Sequence, residues 1–314
     1  MNLQADWRPE PNDWLALEAA ADRLPLQQSW AYGDAMAAWG ACVRRLILRR
    51  EGESLAFAQI VDRRFFGLVR IGGLFRGPVF CSDGIDDVAR EAVMAIALTW
   101  HRPLKGRFLF AMPELEDTEA AQALMRRLGL RQVVTGYSTI WLDLAPDLAT
   151  LRSTLAQKWR NALNAAERAD IAVTIAGRKP RDYRWLLDRE DAQRGQRGYH
   201  GLPTDLVPLY AAAVEDRGGR AVVAATASHG EDRLAGALFL IHGPSATYMV
   251  GWNGAMGRKL GAHNLALWCG IEALKERGVR WLDLGGVNTA EGAGIARFKL
   301  GLGGEVVTLA GTFL

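Results

Sequence analysis

Apolar positions recur at helical spacing in some stretches of this chain and alternate in others, and the two patterns divide it into elements. Leu15 to Trp39 reads as helical in parts. Arg44–Arg50 and Leu55–Val61 read as a hairpin turning at Glu51-Gly52, and a further extended run leads to Arg76-Gly77-Pro78-Val79-Phe80. Val88 to Trp100 predicts a helix, Arg107 to Ala111 a strand, and Glu119 to Leu128 a helix closed by Gly129. Val133 to Leu142 predicts a strand that runs into a seam, Asp143-Leu144-Ala145-Pro146-Asp147. Pro146 cannot continue a strand ladder and biases its predecessor to extended geometry.

Beyond the seam, Leu151 to Ala169 predicts one helix with Leu151, Leu155, Ala162, Leu163 and Ala166 near one face. A short strand, Ile171–Ile175, precedes two helical stretches, Tyr183–Gln193 and Leu206–Asp216. Ala221–Ala227, Leu234–Ile241 and Ala246–Trp252 predict a three-strand meander with Gly230 and Gly243-Pro244 in its turns. A helix from His263 to Arg277 stops at Gly278, a strand Val279–Leu284 follows, and Val306–Phe313 supplies the last strand. Each side of the seam thus runs helix, antiparallel strands, helix, strand, although no residue-level repeat is visible. The fold class is α/β (α+β), a duplicated unit with mixed sheets. The predicted domains are residues 1–145 and 146–314, with the last strand open to pairing with the first domain.

Composition narrows the class. At 314 residues, 49% apolar and 23% charged, the chain has the balance of a globular protein of about two domains. Three cysteines (Cys42, Cys81, Cys269), odd in number and unpaired in spacing, read as reduced, mostly buried thiols and point to a cytoplasmic setting. The polar start Met1–Asp6 lacks a signal core, and no apolar run reaches the length of a membrane span. Residues 151–200 hold eleven Lys/Arg against six Asp/Glu, a local charge of +5 that leaves about −2 for the rest. Such a segment is either a phosphate-binding surface or a solvated helix face.

No GxSxG elbow, Walker loop or HExxH motif is present, no metal site is expected, and the five histidines are scattered. The densest chemistry lies near the end. The strand Val279–Leu284 delivers Asp283, then Gly285-Gly286-Val287-Asn288, and Gly294-Ile295-Ala296-Arg297-Phe298-Lys299-Leu300-Gly301 follows. Two glycines after a buried strand expose backbone donors, and the basic segment beside them forms a polar pocket. Asp283 either serves that pocket or caps the glycine turn. Upstream, Lys158-Trp159-Arg160-Asn161 is either an amphipathic helix with basic flanks or an anion clamp in which Arg160 and Asn161 hold a phosphate or carboxylate. Gln28-Ser29-Trp30 at a helix entrance and Arg76-Gly77-Pro78 on a constrained turn are further candidates. Arg258-Lys259-Leu260-Gly261-Ala262-His263 resembles the RxxGxG/A loop with which GNAT acetyltransferases grip coenzyme A, except that His263 stands at the final small-residue position.

In this order these segments resemble the FemABX family of non-ribosomal peptidyltransferases. Gln28-Ser29-Trp30 is similar to its early signature and Arg76-Gly77-Pro78-Val79 to its RGPV turn. Lys158-Trp159-Arg160-Asn161 with Ala165-Ala166-Glu167 is similar to its KxRNxxxKAxK-type helix. Asp283-Leu284-Gly285-Gly286 and Gly294–Gly301 are similar to its D-x-GG and GIxxFKxGFG motifs. No heptad-patterned arm interrupts the second half, so members without that arm are the nearer match. The resemblance implies two tandem GNAT-like domains, the first for the acceptor and the second for the donor and catalysis. It also implies transfer of an aminoacyl group from aminoacyl-tRNA to a primary amine of a peptide or peptidoglycan precursor, without a resident cofactor.

On that expectation Lys299 supplies positive charge at the reacting carbonyl and Asp283 orients the amine or Lys299. Phe298, Asn288, Tyr248 and Trp252 line the pocket. Gln28, Trp30, Arg76, Lys158, Arg160 and Asn161 bind substrate. The basic stretch Arg178–Arg197 meets a tRNA acceptor stem through phosphates. Two alternatives stand beside it: an acyl-CoA donor held at Gly257–His263, and a binding protein of the same fold without turnover.

Overall fold

The computed structural model describes residues 3–82, 84–197, 202–287 and 292–314. It divides into two compact units, one running to Ser138 and taking back Val307–Leu314, the other Thr139–Val306. The division falls ahead of the Asp143–Asp147 seam.

In the first unit, β1 (Leu3–Asp6), α1 (Pro11–Ala20) and α2 (Trp30–Ala38) lead into β2 (Cys42–Arg50), β3 (Glu53–Phe65), β4 (Val69–Phe75) and β5 (Val79–Phe80). Then come α3 (Asp87–Leu98), β6 (Arg107–Met112), α4 (Glu119–Arg127) and β7 (Gln132–Val134). The carboxylate of Asp86 caps α3 by accepting from Ala89 N at 2.7 Å, and Thr118 caps α4 in the same way at 3.2 Å. The hairpin β2–β3 turns at Glu51-Gly52, as its sequence predicts. Its alternation sorts the core. Leu46 and Leu48, opposite Ala58 and Ala56, lie under α3, whereas Ile47 and Phe57 lie under Trp14 and Trp30.

The second unit holds β8 (Ser138–Asp143), α5 (Leu148–Thr154), α6 (Gln157–Arg168), β9 (Ala172–Ala176), α7 (Pro180–Arg197) and α8 (Leu206–Glu215). The meander follows as β10 (Val222–His229), β11 (Asp232–His242) and β12 (Ser245–Asn253). Then come α9 (Ala255–Leu260), α10 (Ala262–Glu276), β13 (Trp281–Val287) and α11 (Ala293–Leu300), before β14 (Glu305–Thr308) and β15 (Thr312–Phe313). Helix α10 is buried nearly all round, and Phe239 of β11 packs onto its Gly270. Full burial of such a ring contributes roughly 2–3 kcal/mol.

Both units build the same motif. In the first, β2-β3-β4 is antiparallel and α3 crosses over to β6, parallel to β4. In the second, β10-β11-β12 is antiparallel and α10 crosses over to β13, parallel to β12. Among the described residues the sheet orders are β1-β2-β3-β4-β6-β15-β7, with β5 on β3, and β14-β8-β13-β12-β11-β10-β9. The last strand, β15, pairs with β6 and β7.

Four elements differ from their sequence patterns. The helix read over Leu151–Ala169 is broken at Leu155-Ala156, where both residues turn extended and Ala156 N donates to Gly301 O at 2.9 Å. Ser153 and Thr154 bond back to the carbonyls of Thr150 and Leu151, which ends α5. The strand read over Val133–Leu142 is two strands in different sheets. The run Val306–Phe313 likewise splits, at Gly311, whose φ of 125° is open to glycine alone. The penultimate strand starts at Trp281 and continues through both glycines to Val287. The thiols are also less buried than expected, since Cys42 opens β2 in solvent and Cys81 and Cys269 are half-buried. Among the described residues no helix is long and apolar enough to cross a membrane, and no acidic, His or Cys cluster could hold a metal.

Candidate functional site

The chemistry foreseen near the end of the chain is assembled in the second unit. Asp283 sits on β13, 1% exposed. Its Oδ1 accepts from Thr139 Oγ1 at 2.6 Å and from Gly285 N at 2.7 Å. Gly285 takes φ 72°, a conformation that suits glycine and bends the strand end. The turned backbone presents the carbonyl of Gly286, which accepts from Lys299 Nζ at 2.9 Å. Lys299 therefore stands over the glycine turn, with a Cβ built on Gly285 only 3.7 Å from its ammonium nitrogen. Burial lowers its pKa and the charge of Asp283 works the other way. Asp283 thus holds the turn that holds Lys299, a positioning role. Thr139 is the partner the sequence did not reveal, since only its place in a buried strand sets it apart.

An aromatic stack flanks this polar chain. Arg297, Phe298 and Lys299 lie on helix α11. The Phe298 ring packs between Trp159 of α6, at 5.8 Å, and His263 of α10, at 5.2 Å. His263 Nε2 shares a hydrogen bond of 2.8 Å with the hydroxyl of Tyr248. Burial drives the imidazole down to about 4, against a smaller opposing pull from the Trp252 carbonyl, so the ring is neutral at neutral pH. Burial also raises the Tyr248 hydroxyl, which therefore stays protonated. Gly251 has no side chain because any would overlap that hydroxyl. Gly301 closes α11 against Trp159, where a Cβ would come within 2.8 Å of the indole. The KWRN helix and the FKLG segment are thus one packed unit.

Other sequence candidates fall elsewhere. Tyr248 and Trp252, both expected to line the pocket, lie on opposite faces of β12. A bulge opposite Leu238/Phe239 inverts the alternation, so Tyr248 packs on Phe239 at 5.6 Å and Trp252 on Trp185 of α7 at 5.9 Å, across the sheet. Arg189 also covers Trp252, at 5.0 Å. Arg160 donates to Ser153 O at 3.3 Å and to Gln157 Oε1 at 3.0 Å, Asn161 accepts from Gln157 Nε2 at 2.8 Å, and Lys158 is exposed. Asn288 lies outside the described residues.

The two early motifs meet each other in the first unit. Gln28, wholly buried, donates to the carbonyls of Phe75 (2.6 Å) and Gln59 (3.3 Å) and accepts from Gln59 N (2.8 Å). A Cβ on Gly77 would lie 2.6 Å from its amide. Arg76, 4% exposed, is clamped by both oxygens of Glu114 at 2.6 and 2.5 Å. The Trp30 ring is buried on Trp14 at 6.0 Å and covered by Arg45 at 3.6 Å. Gln28 and Arg76 thus tie the middle of β3 to the ends of β4 and β6, with their polar atoms engaged within the unit.

The loop compared with a coenzyme A grip is packed into the second unit. Residues Ala255–Leu260 are helical, so Arg258 N and Gly261 N donate to the carbonyls of Gly254 and Gly257. Gly261 is pressed on α6, with Ala162 O 2.7 Å from where its Cβ would lie. Ala262 and Ala266 are fully buried, and His263 turns inward to Tyr248.

Residues 150–300 match the model of the acetyltransferase (GNAT) domain. No curated protein matches the chain in sequence. Among solved structures it is similar to FemX, with a TM-score of 0.80 at 14% identity over 100% of this chain and 96% of that one. It is also similar to a tandem GNAT protein from the clavulanic acid biosynthesis pathway (TM-score 0.57, 15% identity, 99% and 98% covered). A third likeness is to the C-terminal domain of a putative lysylphosphatidylglycerol synthetase from Agrobacterium fabrum (0.56, 13%, 97% and 92%). At these identities the likeness is one of fold. The repeated three-strand-and-crossover motif, the GNAT match and the FemX likeness agree, and the chain has a FemABX-like fold of two tandem GNAT-type domains.

Proposed function

We propose that this protein is an N-acyltransferase that moves an aminoacyl group from aminoacyl-tRNA to the primary amine of a peptide or peptidoglycan-precursor acceptor. The observation that carries the reading is the half-buried ammonium of Lys299, held on the carbonyl of Gly286 beside the buried Asp283. In aminoacyl transfer the amine nitrogen attacks the ester carbonyl carbon. The new N–C bond forms, the C–O bond to the ribose breaks, and the amine proton passes to the leaving oxygen directly or through water. Negative charge grows on the carbonyl oxygen, and a fixed cation in a partly desolvated setting stabilises it best. Lys299 supplies that cation. Asp283 and Thr139 fix the turn that aims it, and Phe298 packs the helix that carries it.

The donor is inferred from two observations. The loop before α10 is packed on α6, and its final position carries His263, turned inward to Tyr248, where a coenzyme A grip has a small residue, which favours a donor other than a coenzyme A thioester. The +5 charge of residues 151–200 suits the phosphates of an acceptor stem. One incubation tests donor and reaction together: the protein with a pool of charged tRNAs, with acyl-CoAs, and with amine acceptors. Loss of aminoacyl ester that requires the amine and is abolished in Lys299→Met supports the reading. Turnover of acyl-CoA alone would replace it.

A further inference from the structure

The first unit holds a second candidate site, at the opposite end of β4 from Arg76, with Trp30 in its wall. Strands β2, β4 and β6 run in one direction. Arg76 follows the end of β4, whereas a cavity of about 570 Å³ opens where β2 and β6 begin. Strand β1 pairs with β2 only at Ile47–Arg50, which leaves the first residues of β2 bordering the cavity without a β1 partner.

Its wall is cationic. Arg8, Arg44, Arg45, Arg102 and Arg107 line it, and no carboxylate does among the described residues. Arg44 is matched by the buried Asp62 at 3.4 Å and Arg45 by Asp34 at 2.7 Å. No carboxylate pairs with Arg8, Arg102 or Arg107 among the described residues, and Arg107 is half-buried. Trp100 points to the same ligand independently. It is 5% exposed, and its Nε1 is buried with no acceptor. Its benzenoid edge lies on Gly72, at 2.9 Å from a built Cβ, and the residue lines the cavity. A buried indole donor without an acceptor is costly unless a ligand supplies one.

We propose that this cavity binds a small phosphoryl ligand, a phosphate or diphosphate ester, through Arg107, Arg102 and Arg8 with Trp100 Nε1 as a neutral donor. Guanidinium forks match phosphate oxygens, and the space exceeds a lone phosphate, which leaves room for an organic group.

Calorimetric titration of the full chain at low salt with pyrophosphate, a nucleoside diphosphate and a short single-stranded RNA tests this. Arg107→Gln and Trp100→Phe are the variants, with thermal unfolding to verify that both fold. Arg107 makes no side-chain hydrogen bond among the described residues, and Phe keeps an aromatic ring at position 100 while removing the indole donor. The expected result is binding of both small ligands, weakened about tenfold by Arg107→Gln and several-fold by Trp100→Phe. Lys299→Met is expected to bind as the parent does, which separates this site from the proposed transfer reaction. The proposal is overturned by absence of pyrophosphate and diphosphate binding, by RNA binding alone, or by affinities that both variants leave within about twofold.

Discussion

Lys299 Nζ donates to the carbonyl oxygen of Gly286 at 2.9 Å, across thirteen residues of chain. The bond leaves the ammonium with further donors for a substrate oxygen. Replacing Lys299 by Met removes the charge and keeps most of the volume. The transfer rate is expected to fall about 10²–10³-fold, the cost of losing one preorganised oxyanion donor, while the unfolding midpoint barely moves. Single-turnover deacylation of the donor with an amine present measures this, and a rate within tenfold of the parent would remove Lys299 from the mechanism.

The same residue predicts a pH profile. Burial lowers its pKa, so the cation is lost at a pH below the ordinary lysine value. Activity that depends on the cation falls along an alkaline limb in that region. Lys299→Arg keeps a charge that does not titrate there, so its residual activity should lack the limb. A limb of unchanged position in Lys299→Arg would assign it to another group, such as the substrate amine.

Asp283 predicts a stability effect. Asp283→Ala leaves the Thr139 hydroxyl and the Gly285 N–H without their acceptor in a buried strand end. The expected cost is about 2–4 kcal/mol in urea unfolding, and about 1–2 kcal/mol for Thr139→Val. The two changes remove one hydrogen bond between them, so the double variant should cost less than their sum. Strict additivity would show that the two side chains act independently.

That pair marks how far the sequence could be read. The β2–β3 hairpin and the meander were legible because glycine-containing turns punctuate alternating runs. Asp283 and its two glycines stood out because a charge inside an apolar strand needs a reason. Thr139 did not, since 144 residues separate it from Asp283 and a threonine in a strand is ordinary. The opposite faces of Tyr248 and Trp252 were not legible because one bulged residue flips every later side chain, and periodicity carries no sign of it. The break at Leu155-Ala156 was hidden because both flanking segments keep helical spacing, and what ends α5 is back-bonding by Ser153 and Thr154.

Gly251 and Tyr248 predict a coupled pair. A methyl group at position 251 would overlap the Tyr248 hydroxyl, so Gly251→Ala is expected to destabilise by about 1–3 kcal/mol. Tyr248→Phe vacates part of that space and costs the His263 hydrogen bond. Combined, they should be less destabilising than their sum by about 1 kcal/mol or more. A coupling energy near zero would mean that the tyrosine side chain rests elsewhere in solution.

His263 predicts the acid limit of stability. Its folded pKa is about 4 against an ordinary 6.5, so between those values the unfolded chain binds the proton and the folded one does not. Its contribution is therefore fully present above about pH 6.5. It declines as the pH falls and is exhausted below about 4, for a total on the order of 3 kcal/mol. His263→Gln keeps a polar group near Tyr248 without a titrating ring. Urea unfolding at a series of pH values should show the parent losing stability between pH 6.5 and 4 more steeply than the variant. Parallel curves would mean that the imidazole is protonated in the fold, and that its hydrogen bond with Tyr248 is made as a cation.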